Sequence, residues 1–263
     1  MTTVDPAQMR VLLADLAGRF NVDAVAECDS TNSELLRRAE QGCPSGTVLV
    51  ADRQTAGRGR RGRSWLSSPQ DGLTFSLLWR FAGPPTRLAG LSLAVGVALA
   101  RACEALGAHG LGLKWPNDLL WTGPDGFAKV AGILVELVLD RRGTAAVIGI
   151  GINLRRPQQP VEQAVAGLSQ VLTPLPERHR LLAQLLMNLC AVLDAFATNG
   201  FAAVQPEWQA RHLWQGQHVA VVQEGLVIAG GTCLGVDAEG ALLVDSTGDV
   251  QRIIAGDVSL RRS

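Results

Sequence analysis

Apolar Met9, Leu12, Leu13, Leu16 and Phe20 recur at helical spacing, which predicts a helix over 5–20. Short alternation over 22–27 predicts a strand. Small polar Ser30, Thr31 and Asn32 then precede Leu35, Leu36 and Ala39, with Glu34 three residues after Thr31. This is the signature of a capped helix start, and Gly42 and Pro44 end the helix. Strands follow over 47–51 and 73–80, then an apolar, buried helix over 88–106. Runs rich in Val, Ile and Leu predict strands over 111–115, 129–139 and 145–153. A long amphipathic helix covers 178–198 and a shorter one 201–211. From about Gly216 the texture changes to short strands around Val219, Leu226, Leu242 and Arg252, punctuated by Gly230, Gly231, Gly240 and Gly248. That pattern predicts a small all-β barrel.

Between the strands at 47–51 and 73–80 lies a connection, 52–72, long enough to suggest a functional loop. It contains Gln54-Thr-Ala-Gly57-Arg58-Gly59-Arg60-Arg61-Gly62-Arg63-Ser-Trp65. Gly57, Gly59 and Gly62 spell G-x-G-x-x-G, but a dinucleotide fingerprint must open a helix, and here a strand follows. The loop is instead dense in guanidinium groups suited to gripping phosphate or carboxylate. Its four closely spaced positive charges are expected to keep it loose until an anion arrives. A plain solvated basic loop or a nucleic-acid patch is the alternative. Trp65 suits stacking on a base as well as it suits a core position.

Three further stretches carry polar groups in apolar surroundings. Lys114-Trp-Pro-Asn117-Asp118 presents an amide and a carboxylate after a strand, a common ligand position; a simple turn is the alternative. Asn117 suits phosphate or ribose, and Asp118 suits a metal or an orienting contact with Lys114. Lys129-Val-Ala-Gly132-Ile-Leu-Val-Glu136 begins a strand with a cation that is either snorkelling or aimed at an anion. In Gly149-Ile-Gly151-Ile-Asn153 the glycines leave room for a ligand and the amide can read a polar group.

Composition narrows the classes. Over 263 residues, 24 basic and 24 acidic side chains give a formal net charge of zero, unlike a general nucleic-acid binder. The N-terminus has no apolar core of a signal peptide. The apolar stretch 88–100 is too short for a bilayer, which takes about 20 residues. The five cysteines are scattered without a CxxC, as in reduced cytoplasmic proteins. The only lysines are Lys114 and Lys129, so arginine serves nearly everywhere else. Both stand in the motif-bearing segments, where a compact ammonium has a use a guanidinium lacks.

Taken together, Asp29-Ser-Thr-Asn32, Gln54 to Arg63, Lys114 to Asp118, Lys129 to Glu136 and Gly149 to Asn153 resemble the biotin protein ligases in order and spacing. The resemblance covers about residues 20–200, and the tail resembles that family's C-terminal barrel. It implies an α/β (α+β) fold: a class II synthetase-like catalytic domain over 1–212, with a mixed sheet flanked by helices, and an SH3-like β-barrel over 213–263. About 20 residues precede the core, too few for the winged helix of bifunctional members, so a monofunctional ligase is expected.

The resemblance also implies the chemistry. Biotin is activated by ATP and Mg²⁺ as biotinyl-5′-adenylate, then passed to a lysine of the biotin carboxyl carrier domain of an acyl-CoA carboxylase. Ser30, Thr31, Asn32 and Gln54 would bind or line the biotin site, and Arg58, Gly59 and Arg60 would close over biotin and adenylate. Lys129 would sit between biotin carboxylate and α-phosphate, and Trp65 would stack on adenine. Asn117 and Asn153 would hold the adenylate, with Asp118 a candidate for Mg²⁺ or for Lys114. No DNA or membrane partner is expected, and the chain would act as a monomer or weak homodimer in the cytoplasm. The competing readings are a lipoate ligase, which shares fold and adenylate chemistry, and a non-catalytic regulator binding through its Arg loop.

Overall fold

The computed structural model describes residues 2–140, 142–157, 163–223, 226–254 and 258–262, the last as backbone. The elements run α1 (Pro6–Leu13), β1 (Asn21–Cys28), α2 (Thr31–Glu40), β2 (Thr47–Gln54), β3 (Gly72–Phe81), α3 (Leu91–Ala105), β4 (Leu111–Lys114), β5 (Asp118–Gly123), β6 (Gly126–Asp140), β7 (Gly143–Asn153), α4 (Arg178–Asn199) and α5 (Gln205–Arg211). The C-terminal strands are β8 (His218–Gln223), β9 (Leu226–Val236), β10 (Leu242–Ser246), β11 (Asp249–Ile253) and β12 (Val258–Arg262).

Seven strands form a mixed sheet in the order β1-β2-β3-β7-β6-β5-β4, parallel only at β1–β2. Period-two alternation divides its faces. On β3, Leu73, Phe75, Leu77, Trp79 and Phe81 point into the main core with α1, α3 and α4. Leu78 points the other way and packs with Leu49 and Val147 under Leu35 and Ala39 of α2. Thr74 and Ser76 share that second face, as do Gly149, Gly151 and Asn153 of β7. Helix α2 covers only part of this face, and the rest carries the polar residues.

The structure sharpens the sequence reading at three places. The first helix stops at Leu13, where Ala14 turns left-handed (φ 48°) and a 3₁₀ segment continues to Arg19. Of the small polar residues at the start of α2, Ser30 is the cap, its hydroxyl accepting from Ser33 N. Residues 118–123, to which the sequence reading assigned no strand, form β5, which pairs with both β4 and β6.

The C-terminal strands form a separate, small antiparallel sheet, β11-β10-β9-β8-β12, in agreement with the small all-β unit expected from the sequence. It packs against the first sheet: Trp115 donates its indole N–H to Gly240 O (3.1 Å) and Gln205 donates to Val236 O. Gly240 is left-handed, and a Cβ there would lie 2.8 Å from Gly90 Cα, so only glycine admits this approach. The helical stretches Pro85–Ala105 and Arg178–Ala203 are long and apolar enough to cross a membrane by length and composition, which corrects the sequence limit of 88–100. Most of each apolar window is buried, so the fold accounts for that character.

Candidate functional site

A cleft of about 440 Å³ opens on the half-covered face of the seven-stranded sheet. All twelve residues singled out from the sequence line it: Ser30, Thr31, Asn32, Gln54, Arg58, Gly59, Arg60, Trp65, Asn117, Asp118, Lys129 and Asn153. They arrive from α2, β2, the 55–71 loop, β5, β6 and β7.

One end of the cleft has a wall of uncharged polar side chains, Ser30, Thr31, Asn32 and Gln54, with the Arg58–Glu136 pair beside them. Gln54 Oε1 accepts from Thr31 N (2.8 Å) and Thr31 Oγ1 (3.2 Å), fastening the start of α2 to the end of β2. The Ser76 hydroxyl lies 2.7 Å from Thr31 Oγ1 and 2.5 Å from Asn32 Oδ1. Asn32 Nδ2 donates to Leu134 O (3.2 Å) and Glu136 Oε2 (2.9 Å). The Asn32 amide thus has both donors and one acceptor site engaged by the protein, so it shapes the wall. Among the described residues, Gln54 Nε2 has no hydrogen-bond partner. Gly149 makes room for Asn32, since a Cβ there would stand 2.2 Å from Asn32 Oδ1. The sequence expectation that this glycine leaves space for a ligand is therefore corrected: a side chain takes the space.

The other end is cationic. Strand alternation would put Lys129 on the core face with Ile133. A bulge changes this: Leu119 pairs with Ala131 and Leu120 with Lys129, leaving Val130 extra, and Val130 and Ala131 are both fully buried. The parity flips and Lys129 emerges on the cleft face with Gly132, an instance of a bulge re-aiming a side chain. Its ammonium lies 2.7 Å from Asp118 Oδ1, an ion pair outside ideal hydrogen-bond angles, with both side chains only 14% exposed. Asp118 thus orients Lys129 and not Lys114, whose ammonium sits 5.3 Å from the centre of the Trp214 ring. Asn153 Nδ2 donates to Lys129 O (3.2 Å), and Ala164 and Ala166 bond the Lys129 backbone, so the lysine stands on a fixed base.

The Trp65 indole lies across Gly151 and Gly132, where Cβ atoms would come within 2.1 and 3.2 Å of it, and the Lys129 ammonium is 5.6 Å from its ring centre. The Arg loop is folded, against the expectation of a loose one. Trp65 N donates to Gly57 O (2.9 Å) and Gly59 N to Arg63 O (2.6 Å). Arg58 pairs with Glu136 Oε2 (2.6 Å), Arg60 donates to Asn117 Oδ1 (3.4 Å) and Arg61 to Val222 O (3.3 Å). Protein acceptors take up the charges that repulsion alone would scatter. At the far end Arg178 donates to the carbonyls of Pro69 and Gly72. Asn117 Nδ2 donates to Ile133 O (2.8 Å), so this amide ties the β5 start to β6.

Sequence reasoning gave no role to Ser76, Glu136 or Arg178. Ser76, a fully buried hydroxyl, stands two residues after Thr74 in an otherwise apolar strand, and that alternation was the available signal. Among the described residues no group of three or more His, Cys, Asp or Glu is arranged to hold a metal ion. The cleft does offer the Asp118 carboxylate, which fits an ion arriving on a phosphate ligand and keeping most of its waters.

Residues 25–153 match the biotin/lipoate A/B protein ligase family and residues 215–261 the biotin protein ligase C-terminal domain. The bifunctional ligase/repressor of Escherichia coli is 34% identical over 98% of this chain and 80% of its own length. The biotin–[acetyl-CoA-carboxylase] ligase of Mycobacterium tuberculosis is 34% identical over 92% of this chain and 90% of its own. Among solved structures, the biotin protein ligase of Aquifex aeolicus in complex with biotin and ATP superimposes with a TM-score of 0.78 at 31% identity, covering 92% of this chain and 99% of that one. With these likenesses spanning both sheets and every cleft-forming segment, the chain belongs to the biotin protein ligase family.

Proposed function

We propose that this protein joins biotin to a lysine of the biotin carboxyl carrier domain of an acyl-CoA carboxylase, by way of biotinyl-5′-adenylate. The observation that carries the reading is one continuous cleft with an uncharged hydrogen-bonding end and a fixed, carboxylate-oriented lysine at the other. Biotin has the same polarity: an uncharged ureido ring and a carboxylate. In this reading a catalytic domain over 1–212 carries the chemistry and 213–263 is the C-terminal domain.

In the first step a biotin carboxylate oxygen bonds to the α-phosphorus of ATP, and the bond to pyrophosphate breaks. Two anions must meet, and Lys129 is set to neutralise both; a preorganised cation in a shielded site stabilises such charge without reorganising. Asp118 holds the ammonium in place, and Trp65 supplies a flat surface beside it for adenine. Asn153 keeps Oδ1 available to the nucleotide, while Asn117 acts by holding Arg60. Gln54 donates to the ureido oxygen, with Ser30 and Thr31 forming the wall there. A Mg²⁺ held by Asp118 and the phosphates would add charge neutralisation when bound. In the second step the carrier lysine's amine attacks the mixed anhydride, loses a proton and expels AMP. The loop of Arg58, Gly59 and Arg60 keeps water from the anhydride until then.

Mass spectrometry of a carrier domain incubated with the protein, ATP, Mg²⁺ and biotin tests this. The carrier lysine should gain one biotinyl group. A carrier modified only when lipoate replaces biotin would overturn the reading.

A further inference from the structure

We propose that Glu136 is a positioning residue that sets Arg58 over the uncharged end of the cleft and thereby holds the Arg loop closed. The inference rests on the reading of that loop as the lid over biotin and its adenylate.

Glu136 stands on β6 in register with Val147, on the sheet face that carries Gly132 and Leu134. A single oxygen, Oε2, accepts from two elements that the sequence places far apart: Arg58 of the loop at 2.6 Å and Asn32 of α2 at 2.9 Å. Asn32 is itself fixed by Leu134 O and Ser76. The carboxylate therefore belongs to the wall of helix and strands, and Arg58 is the member of the set that a loop carries. The Glu136 side chain is 26% exposed and that of Arg58 41%, so the pair is wet enough to open yet shielded enough to matter. Charge-assisted bonds of this length are the strong class of hydrogen bond.

The pair gives one of the loop's clustered arginines a counter-charge supplied by the protein itself. It also assigns a function to the last residue of the Lys129–Glu136 segment, which the two-step chemistry does not use. Arg58 reaches the cleft because a wall-mounted counter-charge aims it there.

Glu136→Gln isolates the charge, because glutamine still offers Asn32 an acceptor. Two readouts are used. The loop carries four arginines, so its cleavage by trypsin in the ligand-free protein reports opening without any activity assay. Glu136→Gln should be cut about tenfold faster than wild type; equal rates overturn the inference. The second readout is dissociation of preformed biotinyl-adenylate. It should quicken about tenfold in Glu136→Gln and gain less than twofold more when the same change is added to Arg58→Ala. Independent, multiplicative effects would show that Glu136 does not act through Arg58. A wild-type protein that holds no adenylate, yet whose loop is opened by Glu136→Gln, would overturn the ligase reading and leave the latch standing.

Discussion

Replacing Lys129 by alanine should separate what this lysine does for the fold from what it does for the reaction. Its ammonium is 2.7 Å from Asp118 Oδ1, and both side chains are 14% exposed. Removal strands a shielded carboxylate, which costs about 1–3 kcal/mol, short of the roughly 3–5 kcal/mol for breaking a fully buried pair. At about 2–4 °C per kcal/mol for a chain of this size, the thermal midpoint should fall by about 2–12 °C. Loss of a preorganised charge-stabilising group costs about 10²–10³ in turnover, and adenylate formation should fall by that factor. In Lys129→Ala/Asp118→Asn the stranded charge is gone, so at least half of the lost stability should return while adenylation stays low. Calorimetry and a rapid-quench assay of adenylate formation give the two numbers. Adenylation within tenfold of wild type in Lys129→Ala, or its recovery in the double variant, would refute the role assigned here.

Gly149→Ala would put a methyl 2.2 Å from Asn32 Oδ1; calorimetric titration should show biotin affinity falling at least tenfold, although Gly→Ala in a strand ordinarily favours folding by about 0.5–1 kcal/mol. Arg58→Ala should leave biotin binding detectable but release biotinyl-adenylate faster, measured by chase with unlabelled ligand; an unchanged release rate would contradict the lid role. His212, buried and stacked on Trp208, has its imidazole pushed down to about 4 by burial. The unfolded chain takes up that proton near pH 6.5, so the unfolded state binds more protons between pH 6.5 and 4 and stability falls as pH falls through that window. The loss should reach about 3 kcal/mol by pH 4 in urea titrations, and His212→Gln should lack that component.

Much of the fold was legible because strand alternation and helical spacing are local. The apolar face of β3 and the run of α3 follow directly from which positions are apolar. The site was legible as a set of words, and the structure brings all of those words to one cleft. What stayed hidden depends on contacts between distant segments. The bulge at Val130 reverses the direction of Lys129, and nothing in the run Lys129-Val-Ala-Gly marks which residue is extra. Asp118 was read as a partner for a metal or for Lys114; the β5–β6 pairing brings it to Lys129 instead, and β5 itself was not foreseen as a strand. The Arg loop looked mobile because its own charges repel. Its partners, Glu136, Asn117 and Val222 O, lie 57 to 161 residues away along the chain. The glycines at 149 and 151 were correctly seen as making room, but the occupants are Asn32 and Trp65 of the same protein.

The central claim is that this cleft joins an uncharged ureido-binding end to a lysine that brings carboxylate and α-phosphate together. Exchange of labelled pyrophosphate into ATP tests it most directly, run with biotin, with lipoate and with no acid. The account predicts exchange that depends on biotin and Mg²⁺ and is lost in Lys129→Ala. Exchange with lipoate alone, or none with either acid in folded protein, would contradict it.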